Sequence, residues 1–367
     1  MTDEKIINDS IFGSVRLSKL ASSIIETREF QRLNGIKQLG LTYLVFPGAN
    51  HTRFEHSIGT YYLAQQLGSK IGLSDEEVER VSIAGLLHDV GHPPYSHSGE
   101  EAMQDKYGVD HLGVTLKIIE GELGHEISNA MNDDFRESII NILKGKAGVL
   151  SKIVSGHGDM DQLDYLSRDS KYTGVALGVV DITRIINTMD VEDNQLCVDE
   201  KGLPAIEGLM IARMLMYRSV YRHRIALIGS ALINKALERM NMDLEELMEM
   251  NDCDFLARMK VETPEIYESI KYRKIPRGYI LRISEKQYRE IVHDMGDLII
   301  ASRFYASPYK PQGLKIITKK GLVDINEVSA VLSFLEKELH DEALIAFYSE
   351  NEPEIRKYLE GRNIEPM

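Results

Sequence analysis

The sequence has few cysteines, no long apolar run and no excess of basic residues. Cys197 and Cys253 lie far apart and lack metal-ligand spacing, which argues against a disulfide framework and against a cysteine metal site. No apolar run approaches the roughly 18 residues of a membrane span, and residues 1–5 lack the basic-then-apolar pattern of a signal peptide. We therefore expect a cytoplasmic protein without a membrane partner.

The net charge of -14 over 367 residues opposes a general role in binding nucleic acid. Non-specific nucleic-acid affinity depends on lysines and arginines that neutralise phosphates, so nuclease activity is also disfavoured. A small nucleotide remains compatible with this charge, because a pocket can be locally basic and a metal ion can add positive charge.

Most of the chain shows helical periodicity. Residues 18–237 read as mostly helical, and 56–71 and 77–87 each carry apolar residues at spacings of three and four, which form one apolar stripe. This pattern predicts a mainly α fold with a large helical core.

The C-terminal third has a different sequence pattern from the helical region before it. Short β-branched and aromatic runs at 278–283 and 314–318 predict strands, and 326–340 and 352–359 return to helical patterning. We therefore predict a smaller mixed α/β region that packs on the core and takes part in oligomerisation. The predicted domains are residues 1–250 and 251–367.

The adjacent pair His88 and Asp89 follows an apolar helical run, with His56 upstream and Asp161 downstream. A buried imidazole next to a carboxylate needs a strong electrostatic reason, and a divalent cation can supply one. The four residues could form one site for manganese, magnesium, iron, zinc or nickel. The alternative is that both histidines are ordinary core residues.

A stiff turn directly follows the pair. His92 and His97 lie on either side of two prolines, and Glu100 follows three residues after His97. Such an arrangement is typical of a proton-donating imidazole held by a carboxylate. A polar turn with capping residues is the competing interpretation, and His111 alone carries less information.

An acid-rich helix is predicted at 158–169. Helical spacing places Asp161, Tyr165 and Asp169 on one face, whereas Asp159 and Asp164 could cap the helix or remain solvated. The residues alone do not decide which acid binds a metal.

A second helix carries a basic and aromatic stripe. Arg213, Tyr217, Tyr221 and Arg224 follow one another at steps of three and four. Arginine suits phosphate, and tyrosine can pack against a sugar or a base. A solvated basic face would give the same pattern.

Several of these segments together resemble a known family, the HD-domain deoxynucleoside triphosphate triphosphohydrolases. The resemblance covers roughly residues 5–240. The segments that carry it are Phe30–Leu33, Ile36–Gly40, Val45–Ala49, His51, Arg53–Ser57, Gly59, His88–His92, Pro94, Ser96–His97, Asp161–Asp169 and Tyr221–Arg224.

The resemblance implies a role for each candidate residue. It makes His56, His88, Asp89 and Asp161 the metal ligands. It places His92, His97 and His111 over a triphosphate, with His97 as the acid for the leaving group, next to Glu100. It implies phosphate contacts for Arg53 and Tyr165, contacts to the sugar 3'-hydroxyl for Gln38 and Asp169, packing against the deoxyribose for Leu39 and Tyr221, and a substrate contact for Arg213.

The sequence also departs from the family pattern. A phosphate-binding lysine is replaced by Gln162, and the acid after the third pocket histidine is replaced by Leu112. At an activator site known in the family, an arginine is replaced by Asn34 and the acid that reads guanine appears as Glu26. Activation by GTP is therefore not expected.

The function predicted from the sequence is metal-dependent hydrolysis of deoxynucleoside triphosphates to deoxynucleoside and inorganic triphosphate. The resemblance also implies a homo-oligomer, either a dimer or a tetramer. Two alternatives stay open: an HD phosphohydrolase that acts on ribonucleotides, nucleoside monophosphates or a phosphodiester, and a regulatory protein that binds a nucleotide without turning it over.

Overall fold

The computed structural model describes residues 4–156, 158–305, 314–335 and 341–366. Its helices, in chain order, are α1 (Lys19–Ile24), α2 (Arg28–Gln31), α3 (Arg53–Lys70), α4 (Asp75–Leu87), α5 (Glu100–Tyr107), α6 (His111–Glu120), α7 (Glu122–Ala130), α8 (Asp133–Leu143), α9 (Val149–Val154), α10 (Met160–Thr173), α11 (Ile182–Thr188), α12 (Leu203–Met216), α13 (Arg224–Arg239), α14 (Leu244–Glu249), α15 (Asp252–Glu262), α16 (Pro264–Lys271), α17 (Glu285–Met295), α18 (Ile325–Val328), α19 (Ala330–Leu335) and α20 (Glu352–Glu360).

Strands and shorter helical turns complete the described residues. The strands are β1 (Lys5–Asp9), β2 (Gly13–Leu17), β3 (Met189–Glu192), β4 (Gln195–Asp199), β5 (Arg277–Leu281), β6 (Ile300–Tyr305), β7 (Lys315–Thr318), β8 (Gly321–Asp324) and β9 (Asp341–Phe347). The 3₁₀ turns are Arg32–Gly35, Gly40–Leu44, Ser96–Gly99, Glu200–Gly202, Gly296–Leu298 and Ser349–Asn351, and Tyr217–Tyr221 is π-helical.

The predicted mainly α fold is confirmed, and its centre is the pair α3 and α4. Helix α4 begins with a capping box between Ser74 and Glu77, and three acids in its first turn complement the positive end of the helix dipole. Its last turns are apolar and buried, so α4 ends inside the protein directly before His88. The helix thereby delivers the His-Asp pair into the core.

Two further helices pack on α3 and α4. Helix α10 packs on α3, and α9 contacts both α3 and α4. The shared core is apolar, and its fully buried members include Ile58, Leu63, Leu67, Ile83, Leu87, Ile153, Leu163 and Leu166. The polar residues that reach inward from these helices therefore lie in surroundings that strongly favour pairing or coordination.

A hairpin interrupts the range that we predicted to be mostly helical. Strands β3 and β4 pair in antiparallel fashion, and Asp193 and Asn194 between them both have positive φ, at 50° and 57°. Consecutive positive φ values define the type I′ turn, which favours Asn and Asp. The Asp-Asn dipeptide was the signal for this hairpin.

The C-terminal strands were predicted well. Strand β5 falls within one to two residues of the predicted 278–283, and β7 covers most of the predicted 314–318. The helical prediction at 326–340 is met by α18 and α19 as far as 335, and residues 336–340 lie outside the described residues. Helix α20 confirms the predicted helix at 352–359.

The sheets connect early and late parts of the chain. Strand β4 pairs in parallel with β7, which gives a four-stranded sheet of order β3-β4-β7-β8, while β5, β9 and β6 form a second sheet and β1 and β2 a hairpin. Helix α13 packs against β5, β6, β9 and α16. The division at residues 250 and 251 stays a prediction, and extensive contacts cross it.

Among the described residues, no helix is both long enough and apolar enough to cross a membrane.

Candidate metal centre and substrate cavity

A cavity of about 1000 Å³ opens beside the ends of α4 and α10. This volume lies at the upper end of the range that is usual for sites of small molecules and cofactors. Most of the residues predicted to serve the site line it: Gln38, Leu39, Arg53, His88, Asp89, His92, His97, Glu100, His111, Asp161, Tyr165, Asp169, Arg213 and Tyr221.

The four predicted metal ligands meet at one point beside this cavity. The Nε2 atom of His56 lies 3.2 Å from Nε2 of His88 and 3.0 Å from Oδ1 of Asp161. The carboxylate of Asp89 approaches both rings, at 3.4 Å from His56 Nε2 and 3.3 Å from His88 Nε2. Residues from α3, from the end of α4 and from α10 thus present two nitrogens and two carboxylates to a common centre.

Both imidazole rings are held so that Nε2 faces this centre. The Nδ1–H of His56 donates to Oδ2 of Asp164 over 2.7 Å, and the Nδ1–H of His88 donates to the carbonyl of Gly85 over 2.7 Å. Because carboxylate and carbonyl oxygens only accept, Nδ1 carries the hydrogen and Nε2 of the neutral ring carries a lone pair. Two such lone pairs 3.2 Å apart repel unless a cation lies between them. The donor set therefore fits a divalent cation.

The charges of the cluster favour a cation in the same way. Burial lowers the pKa of His56, but hydrogen bonds to Asp161 and Asp164 outweigh it and raise that pKa to about 10. Burial raises the pKa of Asp89, and the positive charge of Arg53 together with His88 more than offsets this and holds the pKa well below its usual range. Without a metal ion the acids therefore hold a proton on His56, and a divalent cation at this centre would displace that proton and leave the neutral ring as its ligand.

A buried ion network behind His56 was not predicted. We expected Asp164 to cap the helix or to remain solvated, but it is fully buried and bonded to His56. Arg168 donates to both of its oxygens, at 2.9 and 2.8 Å, and also lies 2.9 Å from Asp9 of β1. The spacing of four residues between Asp164 and Arg168 was the available signal. Asp159, in contrast, caps α10 as one of our alternatives stated.

The backbone of α3 makes room for this network at Gly59. A Cβ atom there would lie 1.8 Å from Oδ1 of Asp164 and 2.5 Å from Nη2 of Arg168. Any larger residue would displace the acid that orients His56.

Three histidines and Glu100 form a second group above the metal cluster. The Nδ1–H of His97 donates to Glu100 over 2.7 Å, and the Nδ1–H of His111 donates to the other oxygen of the same carboxylate. The rings of His92 and His111 stack with centroids 4.1 Å apart, and His97 meets His92 edge-on at 4.8 Å. Glu100 thus contacts His97, as we expected for a carboxylate that orients it, and contacts His111 as well.

The protonation states within this group differ. Burial alone would raise the pKa of Glu100, but hydrogen bonds from His111 and His97 lower it far below its usual range. Burial would lower the pKa of His111, and Glu100 raises it. Burial and the nearby charge of Arg53 lower the pKa of His92, so this ring is neutral. Glu100 thus favours the protonated form of His111, whereas burial and Arg53 favour the neutral form of His92.

A second set of donor atoms overlaps the first one. The first set consists of one ligand atom each from His56, His88 and Asp161, which lie within 4.8 Å of one another. The second set consists of one ligand atom each from Asp89, His92 and His111, which lie equally close together. Asp89 thus connects the metal cluster to the histidine group.

Several buried polar atoms of the cavity residues lack a hydrogen-bond partner among the residues that the structure describes. They include Nη2 of Arg53, Oε1 of Gln38 and Nε of Arg213. Buried polar atoms in native proteins are generally satisfied, so unpaired ones on a cavity wall indicate a polar ligand. Arg53 also donates from Nε to Ser96 over 2.7 Å and pairs with Asp89.

A histidine to which our sequence reasoning assigned no role contacts Asp169. His51, which is buried, lies 2.7 Å through Nε2 from Oδ1 of Asp169, and Tyr221 donates to Oδ2 of Asp169 over 2.7 Å. His51 therefore positions Asp169, a predicted substrate contact, together with Tyr221. The signal was the sequence proximity of His51 to Arg53 and His56.

The residues that depart from the family pattern divide into two locations. Gln162 and Leu112 line the cavity, and Oε1 of Gln162 has no partner within the described part of the chain. Asn34 and Glu26 are exposed; Asn34 bonds to Gln31, and Glu26 pairs with Lys5. Two of the four departures thus lie on the cavity wall, and the other two lie on the surface.

Comparison with known proteins agrees with this geometry. An HD domain model matches residues 53–169, and a model of the HD associated region matches 180–293. A putative HD domain-containing protein of Acanthamoeba polyphaga mimivirus is 33% identical over 331 residues, which cover 78% of this chain and 69% of that protein. The chain belongs to the HD-domain family. Membership in this phosphohydrolase family supports hydrolase activity.

Two further comparisons bear on chemistry. A protein of Dictyostelium discoideum named deoxynucleoside triphosphate triphosphohydrolase SAMHD1 homolog is 32% identical over 314 residues, covering 78% of this chain and 60% of that protein. A crystal structure titled phosphohydrolase, from Bacteroides thetaiotaomicron, superposes with a TM-score of 0.79 at 30% identity, covering 94% of this chain and 100% of the other. HD domains bind divalent metals, and the His and Asp groups found here could hold such an ion.

Removing the charge of Asp164 tests whether this residue orients His56 in the HD domain. We expect Asp164→Asn to weaken Mn²⁺ binding about 10–100-fold, because partners of metal-ligating histidines have effects of this order. Isothermal titration of the metal measures it. Asp134→Asn is the control, since the side chain of Asp134 is 82% exposed and far from the cluster in the fold. Equal affinities of both variants would contradict the assigned role.

Proposed function

We propose that the protein is a divalent-metal-dependent deoxynucleoside triphosphate triphosphohydrolase that releases a deoxynucleoside and inorganic triphosphate. The observation that carries this proposal is the placement of the four metal-type ligands directly beside a cavity where buried atoms of Arg53, Arg213 and His92 have no hydrogen-bond partner within the described residues. The named activity of the Dictyostelium relative supports the same substrate class. Magnesium, manganese, iron, zinc and nickel are all candidates for the ion.

The proposed ligands are His56, His88, Asp89 and Asp161. A divalent ion bound by them would act as a Lewis acid that activates water and offsets the negative charge of phosphate oxygens. Arg53, buried beside Asp89, adds fixed positive charge through its unpaired Nη2 atom. Charge that is held in place before the reaction stabilises a transition state without reorganisation.

His97 is proposed as the acid that protonates the departing O5' atom. Glu100 holds its Nδ1–H and leaves Nε2 free to deliver a proton, and the side chain is 66% exposed, so a substrate in the cavity can reach it. We propose that His92 and His111 contact the triphosphate. Tyr165 and Arg213, which line the same cavity, are proposed as further phosphate contacts.

The deoxyribose is proposed to lie between Gln38, Leu39, Asp169 and Tyr221. Oε1 of Gln38 is unpaired and Asp169 keeps lone pairs beyond its two bonds, so both can bind the 3'-hydroxyl. Leu39 and Tyr221 line the cavity and offer no partner for a 2'-hydroxyl at their apolar surfaces.

A related phosphohydrolase activity on another phosphate ester is the second candidate. It is favoured by Gln162, a buried and neutral residue at the cavity wall where the family carries a phosphate-binding lysine. Three further predictions from the sequence remain untested. They are assembly into a homodimer or homotetramer, a role of residues 251–367 in that assembly, and a cytoplasmic location.

Product analysis separates these candidates. We expect purified protein with Mn²⁺ or Mg²⁺ to release inorganic triphosphate from dGTP or dATP, as measured by anion-exchange chromatography over a panel of ribo- and deoxyribonucleotides. Release of orthophosphate alone, or turnover restricted to monophosphates or phosphodiesters, would favour the second candidate.

Two histidine substitutions separate metal binding from proton transfer. His97→Ala should keep the bound metal and lose about 10²–10⁴-fold in kcat, which is the usual contribution of a general acid. His88→Ala should lose both metal and turnover, because it removes a ligand. Metal analysis and steady-state rates are measured on the same samples. Full activity of His88→Ala would refute the assigned centre.

Shortening Leu39 tests the selection of deoxyribose. Leu39→Ala should raise the ratio of kcat/KM for GTP over dGTP by about tenfold or more, since removing a packed side chain leaves space for a 2'-hydroxyl. Leu44→Ala is a control, because Leu44 ends the short turn Gly40–Leu44 that follows Leu39 and does not line the cavity. An unchanged ratio would contradict this contact.

A further inference from the structure

The turn that carries His97 has an unusual backbone. Tyr95 and Ser96, the two residues before it, have φ values of 61° and 58°. Residues other than glycine rarely adopt this left-handed conformation, and two in succession persist only where surrounding contacts hold them. The position of His97 therefore depends on whatever holds Tyr95 and Ser96.

The strongest contact comes from Asp252, the first residue of α15. Its Oδ1 accepts the N–H of Tyr95 over 2.6 Å, and its Oδ2 accepts the N–H of Lys37 over 3.0 Å. Asp252 is 4% exposed and Tyr95 3% exposed. One buried carboxylate thus connects the turn before His97 to the segment before Gln38.

The two residues before Asp252 contact the same region. The carbonyl of Met250 accepts a hydrogen bond from Arg32 over 3.1 Å. Asn251 packs so tightly on Gly35 that a Cβ atom there would lie 2.7 Å from the Cβ of Asn251. We call residues 250–252 the brace, since each of them contacts the segment 32–37.

The segments that the brace joins also contact each other. The hydroxyl of Ser96 donates to the carbonyl of Lys37 over 2.7 Å. The oxygen of that hydroxyl accepts a hydrogen bond from Nε of Arg53, also over 2.7 Å. The ring of Tyr95 packs edge-on against Phe255 of α15, with centroids 6.1 Å apart. The turn is thus held by α15 on one side and by the backbone of Lys37 on the other.

The carboxylate chemistry of Asp252 suits this task specifically. Both of its partners are backbone donors, and only a carboxylate offers an acceptor oxygen to each of them; an asparagine would turn its amide hydrogens toward one N–H. The helix cap of α15 is supplied by Asn251, so the carboxylate of Asp252 is not needed to start its own helix.

We propose that Asp252, in the HD associated region, is a positioning residue that fixes His97 relative to the Gln38–Leu39 segment. This inference rests on the proposed function for the role of His97. Asp252 contacts none of the four metal-type ligands in the described structure, so its effect on turnover is expected without a loss of metal.

The contacts themselves are tested without any activity assay. Burial raises the pKa of Asp252 to about 6, so exchange is measured at pH 8, where the carboxyl is ionised. Asp252→Asn should raise the hydrogen-exchange rate of at least one of the Tyr95 and Lys37 amides about tenfold or more, because the side-chain oxygen of asparagine can accept from only one of them, while amides of α3 stay protected. Asp243→Asn is the matched control, because Asp243 caps α14 and asparagine caps equally well. Unchanged exchange at both amides overturns the proposal.

A double-mutant cycle tests the functional part. Asp252→Asn should lower kcat for triphosphate release about tenfold or more with Mn²⁺ stoichiometry unchanged, and should lower it less than about threefold when His97→Ala is already present. Equal losses in both backgrounds, or loss of the metal, would show a general structural role and overturn the proposal.

Gly35→Ala provides a second variant if Asp252→Asn fails to fold, since the added methyl group displaces Asn251 from the opposite side of the brace. It should give the same pattern of exchange and coupling, and protection at Tyr95 and Lys37 equal to that of the wild type overturns the proposal. A wild-type protein that releases no triphosphate contradicts the proposed function instead, while the exchange rates still report on the brace, so the two failures are distinguishable.

Discussion

The architecture of this protein depends on the burial of like charges at one point. Asp89 and Asp164 bring buried carboxylates into the helical core, where unpaired charge is strongly unfavourable, and Asp161, whose side chain is 34% exposed, approaches them from the cavity wall. Each acid is matched by a cationic or hydrogen-bonding partner: Arg53 for Asp89, His56 for Asp161, and Arg168 for Asp164. The helices that carry these partners must therefore pack in one arrangement.

This constraint explains why parts of the chain distant in sequence converge. Arg168 reaches past Asp164 to Asp9, so the N-terminal hairpin completes the charge balance behind the metal cluster. On the opposite side, Arg32 donates to the carbonyls of Val90 and His92 and to Met250. Residues that precede and follow the HD-domain match at 53–169 thus contact the elements that carry the candidate site.

The sequence was most informative where chemistry and periodicity coincide. The pair His88-Asp89 at the end of an apolar helix predicted a buried polar cluster, and the spacing around Asp161 predicted its face of α10. The residues that hold these side chains were harder to predict, because Asp164, Arg168 and Asp252 look like ordinary surface or capping residues until tertiary packing buries them. Their partners are set by long-range contacts that local patterns do not encode.

The same limit applies to the fold. Helical periodicity predicted α3 and α4, and short β-branched and aromatic runs predicted β5 and β7. The parallel pairing of β4 with β7 could not be predicted from the local sequence of either strand, because it depends on where two distant segments meet in the folded protein.

That parallel pairing has a consequence for how the chain acquires its structure. One edge of strand β4 stays unpaired until β7, which lies far downstream in the chain, has been synthesised. Pairings between such distant segments form slowly, because the intervening chain must first be ordered. Until residues 315–318 have been synthesised, the unpaired edge of β4 is a place where a chaperone or a neighbouring nascent chain can attach.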